Sequence, residues 1–273
     1  MTSTDTDTLW IRRFHPASKP APHAPEAATL VCFAHAGGSA TSFYGLSQAL
    51  SERLDVVAVQ YPGRQDRHRE PAIEDLVELA DRSTAALTEA LGTERPLALF
   101  GHSMGACVAF EVARRLERQA GVTPTALFVS GHQAPSLYRA DNLHLQGDDA
   151  LLRDIRALNG TAPHVLDDED VVGLFLSSLR ADYKAIGTYR AARSATVSCP
   201  VVALTGDADP KTTVEEARAW QDHTTGSFAL RIFSGGHFFV SDQTEGVADV
   251  LWQHLTTGTH ARQQSDTSPT AHP

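Results

Sequence analysis

The sequence predicts an α/β fold: a mostly parallel central sheet with helices on both faces. Three observations point to it. Short apolar runs alternate with helix-period segments along most of the chain, the pattern of strands joined by crossover helices. The runs are predominantly apolar, as strands buried on both faces must be. Most of them also end in glycine, at Gly101, Gly131, Gly206 and Gly235 among others, which puts sharp turns at the sheet edge where such folds bind ligands.

In chain order, Leu9–Phe14 reads as a strand, and Pro16–Pro25 as a proline- and alanine-rich connection. Thr29–Ala34 is the next strand, running into His35-Ala36-Gly37-Gly38, and Ser42–Ser51 has helical periodicity. Asp55–Gln60 is a strand ending at Tyr61-Pro62-Gly63-Arg64, followed by a helix over Ile73–Leu91. Pro96–Phe100, Ala126–Ser130, Val201–Thr205 and Phe228–Phe233 are the remaining strands. Helices are expected over Met104–Gln119, Thr213–Asp222 and Glu245–Leu255. From Leu137 to Arg193 no strand appears, only helical pieces at Asp148–Leu158, Asp168–Leu179 and Arg180–Ala192. A helical insertion between two strands reads as a lid over the ligand-binding edge. One domain over residues 9–255 is expected, with disordered ends at 1–8 and 256–273, both polar and poor in anchoring side chains.

Composition narrows the function. The formal net charge of −10 over 273 residues opposes nucleic-acid binding, which needs clustered Lys and Arg. No apolar run approaches the about 18 residues of a membrane span, and Met1–Thr8 is polar and acidic, unlike a secretory leader. Cys32, Cys107 and Cys199 lie in apolar segments without metal-ligand spacing, which suits three buried thiols in a reducing cytoplasm.

The chemistry concentrates in three turns. Gly101-His102-Ser103-Met104-Gly105 is a G-x-S-x-G motif between an apolar run and an amphipathic helix, the strand–turn–helix setting of a nucleophile elbow. A serine hydroxyl needs a base. His237, in Ser234-Gly235-Gly236-His237, follows the last strand and is preferred over His35, His102 and His132, which also stand near strand ends. Thr205-Gly206-Asp207-Ala208-Asp209-Pro210 offers two carboxylates to orient that imidazole, with Asp209 preferred and Asp207 the alternative. The order Ser…Asp…His is that of the α/β-hydrolase fold. An oxyanion would be met by the Met104 N–H at a helix N-terminus and by the Ala36 N–H of the first strand–helix loop.

With these residues in place, the chain resembles the free-standing type II thioesterases of polyketide and nonribosomal peptide assembly lines, over roughly Trp10 to Leu255. The resemblance rests on Phe33–Gly38, Gln60-Tyr61-Pro62-Gly63-Arg64 with Arg67, the Gly101–Gly105 elbow and Ser130-Gly131. Leu179-Arg180-Ala181-Asp182-Tyr183 with Tyr189-Arg190, Gly206–Pro210 and Gly235–Phe238 complete it. It departs at Ala34 and Ser178, where the family commonly has proline. The resemblance implies hydrolysis of acyl thioesters on the phosphopantetheine arm of acyl or peptidyl carrier proteins, clearing stalled or wrongly loaded modules. It implies no cofactor of the enzyme's own, since phosphopantetheine arrives with the partner. A cytoplasmic location is expected from the cysteines and polar start, and a monomer because nothing resembles a coiled coil or a long exposed apolar face. Because carrier proteins are acidic, Arg64, Arg67, Arg180, Lys184, Arg190 and Arg193 are candidates to meet the carrier or its phosphate; the competing expectation is that they pair with Asp66, Glu70 and Asp182. A general esterase, a product-releasing thioesterase, or a non-catalytic binding protein on the same fold are the rival readings.

Overall fold

The computed structural model describes residues 9–16, 28–137, 143–158 and 169–265. All seven apolar runs become strands of one sheet: β1 Ile11–Arg12, β2 Thr29–Phe33, β3 Asp55–Val59, β4 Leu97–His102, β5 Ala126–Ser130, β6 Val201–Gly206 and β7 Phe228–Phe233. Their order is β1-β3-β2-β4-β5-β6-β7. Only β1 runs antiparallel, against β3; the pairs from β3 through β7 are parallel. This is the α/β-hydrolase architecture that the motif order implied.

The helices among the described residues are α1 Tyr44–Leu50, α2 Leu76–Leu91, α3 Met104–Arg115, α4 Asp148–Leu158, α5 Glu169–Thr188, α6 Val214–Arg218, α7 Phe239–Asp242 and α8 Thr244–Ser265, of which α4 and α5 make up the lid. Strands β2, β4 and β5 are buried at every position, because helices close both faces and leave no polar side to alternate with. Phe33, Phe100, Phe110 and Phe128 are fully buried with Trp220 at the centre of the core. Burying each such side chain contributes about 1.5–3 kcal/mol, so the scaffold under the site is strongly determined.

The topology fixes where the site lies. From β2 the chain moves to β3 on one side, and β4 then lies on the other. The C-terminal ends of β2 and β4 therefore flank the switch point, where open α/β sheets leave a crevice. Phe33 pairs in register with Gly101, so the His35–Gly38 loop and the serine elbow emerge side by side.

Several elements differ from their expected extents. The first strand contracts from Leu9–Phe14 to two residues, since β1 is an edge that pairs only with β3 while Phe14 turns to pack against Tyr44 at 5.6 Å. The helix after the elbow gives way at Leu116–Ala120 to one π-turn, closed by Gly121 at φ 66°. The helix expected over Thr213–Asp222 holds only through Arg218, started by a Thr213–Glu216 capping box, then tightens into a 3₁₀ turn. The two lid pieces split at Leu179 are one helix, α5, because nothing between Leu179 and Arg180 breaks the chain of hydrogen bonds. At the other end, α8 continues ten residues past the boundary placed at Leu255. Extending a formed helix is cheap compared with nucleating one, so a polar composition alone does not stop it. The 1–8 segment and residues 266–273 lie outside the described residues, as does Asp168.

The lid is packed as a unit of its own. Leu151 and Ile155 from α4 and Leu179 from α5 form a second apolar cluster, joined by Phe175, Leu176 and Tyr183. Among the described residues no helix is long and apolar enough to cross a membrane.

Candidate active site

Ser103 sits between β4 and α3 with φ 54° and ψ −122°, a conformation that costs a side-chain-bearing residue on the order of 1–3 kcal/mol. Its surroundings enforce the strain. A Cβ on Gly101 would lie 2.0 Å from the Gly105 carbonyl oxygen, and one on Gly105 would lie 2.0 Å from that of Phe33. Both glycines of the motif are thus required by backbone contact. The Ser103 N–H donates to the Ser130 carbonyl at 2.7 Å, and the Ser103 carbonyl accepts from Ala106 at 2.9 Å, so the elbow is held from both sides with its hydroxyl projecting upward.

His237 reaches that hydroxyl from the turn after β7, its Nε2 3.0 Å from Ser103 Oγ. Its Nδ1 faces both carboxylate oxygens of Asp209, at 2.9 and 3.1 Å. A carboxylate only accepts, so the proton resides on Nδ1 and Nε2 is left to accept from Ser103. Asp209 is itself fixed by the Lys211 N–H at 2.8 Å. Asp209 and His237 are both buried. Asp207, the alternative acid, accepts the Gly235 N–H at 2.9 Å and so braces the turn that carries His237.

The rival histidines are placed elsewhere. His102 lies beneath the elbow, its Nδ1 3.0 Å from Ser130 Oγ and its ring 5.2 Å from that of His237. Burial, then the nearby His237, His35 and His132, hold it well below the usual imidazole range. His35, partly exposed to the site, is likewise lowered to about 3 by burial, then by His237 and Arg64. Both are neutral at neutral pH and neither touches Ser103 Oγ. Cys107 lines the cavity, but burial first, and then Glu111, raise its thiol; it stays protonated and is no competing nucleophile.

Two cavities, of about 130 and 50 Å³, open beside Ser103. They share Ala36, Ser103, Leu158, Tyr183 and His237, so the hydroxyl and the imidazole stand where the cavities join. Leu158 and Tyr183 belong to the lid, which therefore forms the roof. The larger cavity continues past Met104, Cys107, His132 and Tyr189. Met104 opens α3, whose first amides have no intrahelical acceptor. Ala36 and Met104 both line the larger cavity, and neither N–H has a protein acceptor among the described residues.

The basic residues divide. Arg64 and Arg67 are buried and paired within the fold, the arrangement that the competing expectation described. Arg64 forms a two-pronged pair with Asp182 at 2.6 and 2.9 Å. Arg67 pairs with Glu70 at 2.7 and 2.5 Å, donates to the Gln60 carbonyl and lies 4.3 Å from the Trp10 ring centre. The charge of Arg64 ties the loop after β2 to the lid helix, and that of Arg67 braces residues 60–70. Arg180 and Lys184 are exposed and paired with Asp148 and Glu74. Arg190 and Arg193 are exposed, and Arg190 also lines the larger cavity, its guanidinium bonded to the Tyr189 carbonyl.

Sequence reasoning did not single out the polar ties between lid and scaffold. Asp154 of α4 accepts from Tyr183 and from Lys211, both at 2.6 Å. Tyr189, just past α5, donates to Glu111 of α3 at 2.8 Å. Asp182 of α5 accepts the Gly37 N–H at 2.7 Å. The available signal was acidic side chains within apolar helical stripes, such as Asp182 following Phe175 and Leu179 at helical spacing.

A strained serine on a strand–helix elbow, at the switch point of a sheet with this order, defines a member of the α/β-hydrolase class. Residues 28–255 match the thioesterase domain family, and the chain belongs to that family; it is a thioesterase. The thioesterase PikA5 of Streptomyces venezuelae is 48% identical over 247 residues, covering 90% of this chain and 85% of that one. A probable cadicidin biosynthesis thioesterase of Streptomyces griseus is 46% identical over 93% of this chain and 68% of its own length. Among solved structures, the type II thioesterase BorB of the borrelidin biosynthetic cluster superposes with a TM-score of 0.81 at 46% identity, covering 90% of this chain and 98% of the other.

Proposed function

We propose that this thioesterase is a type II enzyme that hydrolyses acyl groups from the phosphopantetheine thiol of acyl or peptidyl carrier proteins in a polyketide or nonribosomal peptide pathway. Ser103, His237 and Asp209 act as the catalytic triad. The observation that carries the reading is the hydrogen-bonded chain Ser103–His237–Asp209 at the junction of the two cavities. The chain's likeness to thioesterases named for the biosynthesis of cadicidin and borrelidin supports the proposed substrate class.

In the first half-reaction Ser103 Oγ attacks the thioester carbonyl while His237 Nε2 takes its proton. Asp209 stabilises the imidazolium that results. The carbonyl oxygen, now negative, is met by the N–H groups of Ala36 and Met104. The tetrahedral intermediate expels the thiolate, which takes the proton from His237 and leaves as phosphopantetheine thiol. A water then gives its proton to His237 and attacks the acyl-serine, and the serine oxygen departs with that proton. Acid and free Ser103 are the products. Nucleophile, base and oxyanion donors all come from the chain, so the reading calls on no metal or redox group. Phosphopantetheine comes with the substrate, and on this reading the enzyme acts in the cytoplasm as a monomer.

Intact-mass measurement of an acyl-loaded carrier protein tests this. Wild-type enzyme returns the carrier to its free-thiol mass and Ser103→Ala does not, since loss of the nucleophile costs about 10⁶-fold in kcat in such triads. Retention of the acyl group by the carrier, with a simple oxyester cleaved instead, contradicts the substrate assignment and favours a general esterase.

A further inference from the structure

We propose that Asp182 of the lid helix is a positioning residue for the oxyanion site: with Arg64 it holds the Ala36 amide in its catalytic orientation, so the site is complete only while α5 is seated. The inference rests on the triad reading above and extends it to residues that touch neither substrate nor nucleophile.

The loop after β2 is fixed peptide by peptide. Gly38 N–H donates to the His35 carbonyl at 2.9 Å. In a trans peptide the carbonyl and the following N–H point oppositely, so this bond aims the Ala36 N–H away from the turn. The next amide, Gly37 N–H, donates to Asp182 Oδ2 at 2.7 Å, and the Gly38 carbonyl accepts from Arg64 Nη1 at 3.0 Å. Arg64 and Asp182 are joined by two hydrogen bonds, so the pair grips both ends of the Gly37-Gly38 dipeptide. Gln60 adds support by accepting the Ala40 N–H at 3.0 Å and donating to the Arg64 carbonyl at 3.3 Å.

The grip comes from the lid. Phe175, Leu179 and Asp182 lie on one face of α5, spaced by four and three residues. A Cβ on Gly37, at φ 76°, would meet Phe175 at 2.7 Å and Leu179 at 2.9 Å. The same helical face thus packs on the loop and bonds to it. The Asp182 side chain has no exposed surface and that of Arg64 only 6%. A buried ion pair adds little net stability over an apolar pair, which leaves placement of the loop as what this one supplies. The other lid ties, through Asp154 and Tyr189, reach Lys211 and Glu111 and leave the oxyanion loop alone.

The test uses a small acyl thioester, so it does not depend on carrier recognition. Wild type, Ser103→Ala, Asp182→Leu and the double variant Arg64→Met/Asp182→Leu, which keeps neither the acceptor for Gly37 nor the donor to Gly38, are compared below their melting temperatures. The double variant removes both charges and so avoids the buried unpaired cation that can unfold the single one. Expected is a kcat reduced at least about tenfold with KM within about twofold, because misplacement by about 1 Å can cost 10²-fold. Affinity for a trifluoromethyl ketone analogue of the tetrahedral intermediate falls by the same factor. Arg64→Lys, which keeps Asp182 on Gly37, retains most of kcat. Wild-type kcat and analogue affinity in the folded double variant, or a change in KM alone, overturn the inference. A wild type no more active than Ser103→Ala overturns the triad reading, and the inference with it.

Discussion

At the scale of single residues, the site is built by contacts that leave little choice. Ser103 is strained because Gly101 and Gly105 have no room for a Cβ, and the strain lifts its hydroxyl to the His237 Nε2. Asp209 faces Nδ1 with both oxygens, the geometry that would select the tautomer able to accept a proton. Asp209→Asn would present an amide that stabilises the opposite tautomer. It is expected to lower kcat on a small thioester by about 10⁴-fold while leaving KM and folding close to wild type, as steady-state kinetics and circular dichroism would show. A fall of less than about tenfold would assign the orienting role to another group, Asp207 being nearest in sequence. Serine, base and acid were legible in the sequence because each occupies a turn after a strand, and strand ends are readable from apolar runs. The pairing of Arg64 with Asp182 across the lid was open, because two residues so far apart in the chain carry no local pattern that joins them.

Elements place these residues, and their outlines show where local reading fails. Strands β2 to β6 were readable because near-complete burial leaves an apolar run, whereas β7 is a partly exposed edge strand that carries Arg231 and was marked by its flanking phenylalanines and the glycines that follow. The short β1, the π-turn after α3 and the length of α8 depend on pairing and helix propagation, which composition does not encode. Lid helix α5 reads as two pieces because its polarity changes at Arg180, yet its hydrogen bonding continues. Just beyond it, Arg190, which lines the larger cavity, and Arg193 remain exposed, whereas Arg64 and Arg67 are buried inside the fold. Reversing both charges, Arg190→Glu with Arg193→Glu, is expected to raise KM for an acyl-carrier substrate severalfold and to leave a small thioester unaffected. The excess falls away with added salt, as contacts between exposed charges must. Equal effects on both substrates would remove these residues from the docking surface.

For the whole molecule, the net charge of −10 means that any acidic partner would approach against the average field, so the proposed carrier docking would have to be local. The histidines beneath the site have a global consequence as well. His35 is held at about 3 against an ordinary 6.5, by burial first and then by His237 and Arg64; His102 is lowered in the same sense. Below pH 6.5 the unfolded chain takes up protons at these positions that the folded chain refuses. Their stabilisation is therefore complete above about pH 6.5 and is lost progressively as the pH falls toward 3. Urea unfolding at pH 7.5 and 5.0 is expected to show lower stability at pH 5.0, with a smaller difference in His35→Gln. An unchanged difference in that variant would show that His35 titrates alike in both states.

The central claim is that Ser103 is the nucleophile, activated by His237. Mass spectrometry of peptides from enzyme treated with a fluorophosphonate addresses it most directly. The account predicts one adduct, on the peptide containing Ser103, appearing in step with loss of thioesterase activity and absent from His237→Ala. Inactivation with the adduct on another residue, or full activity in a quantitatively labelled Ser103, would contradict it.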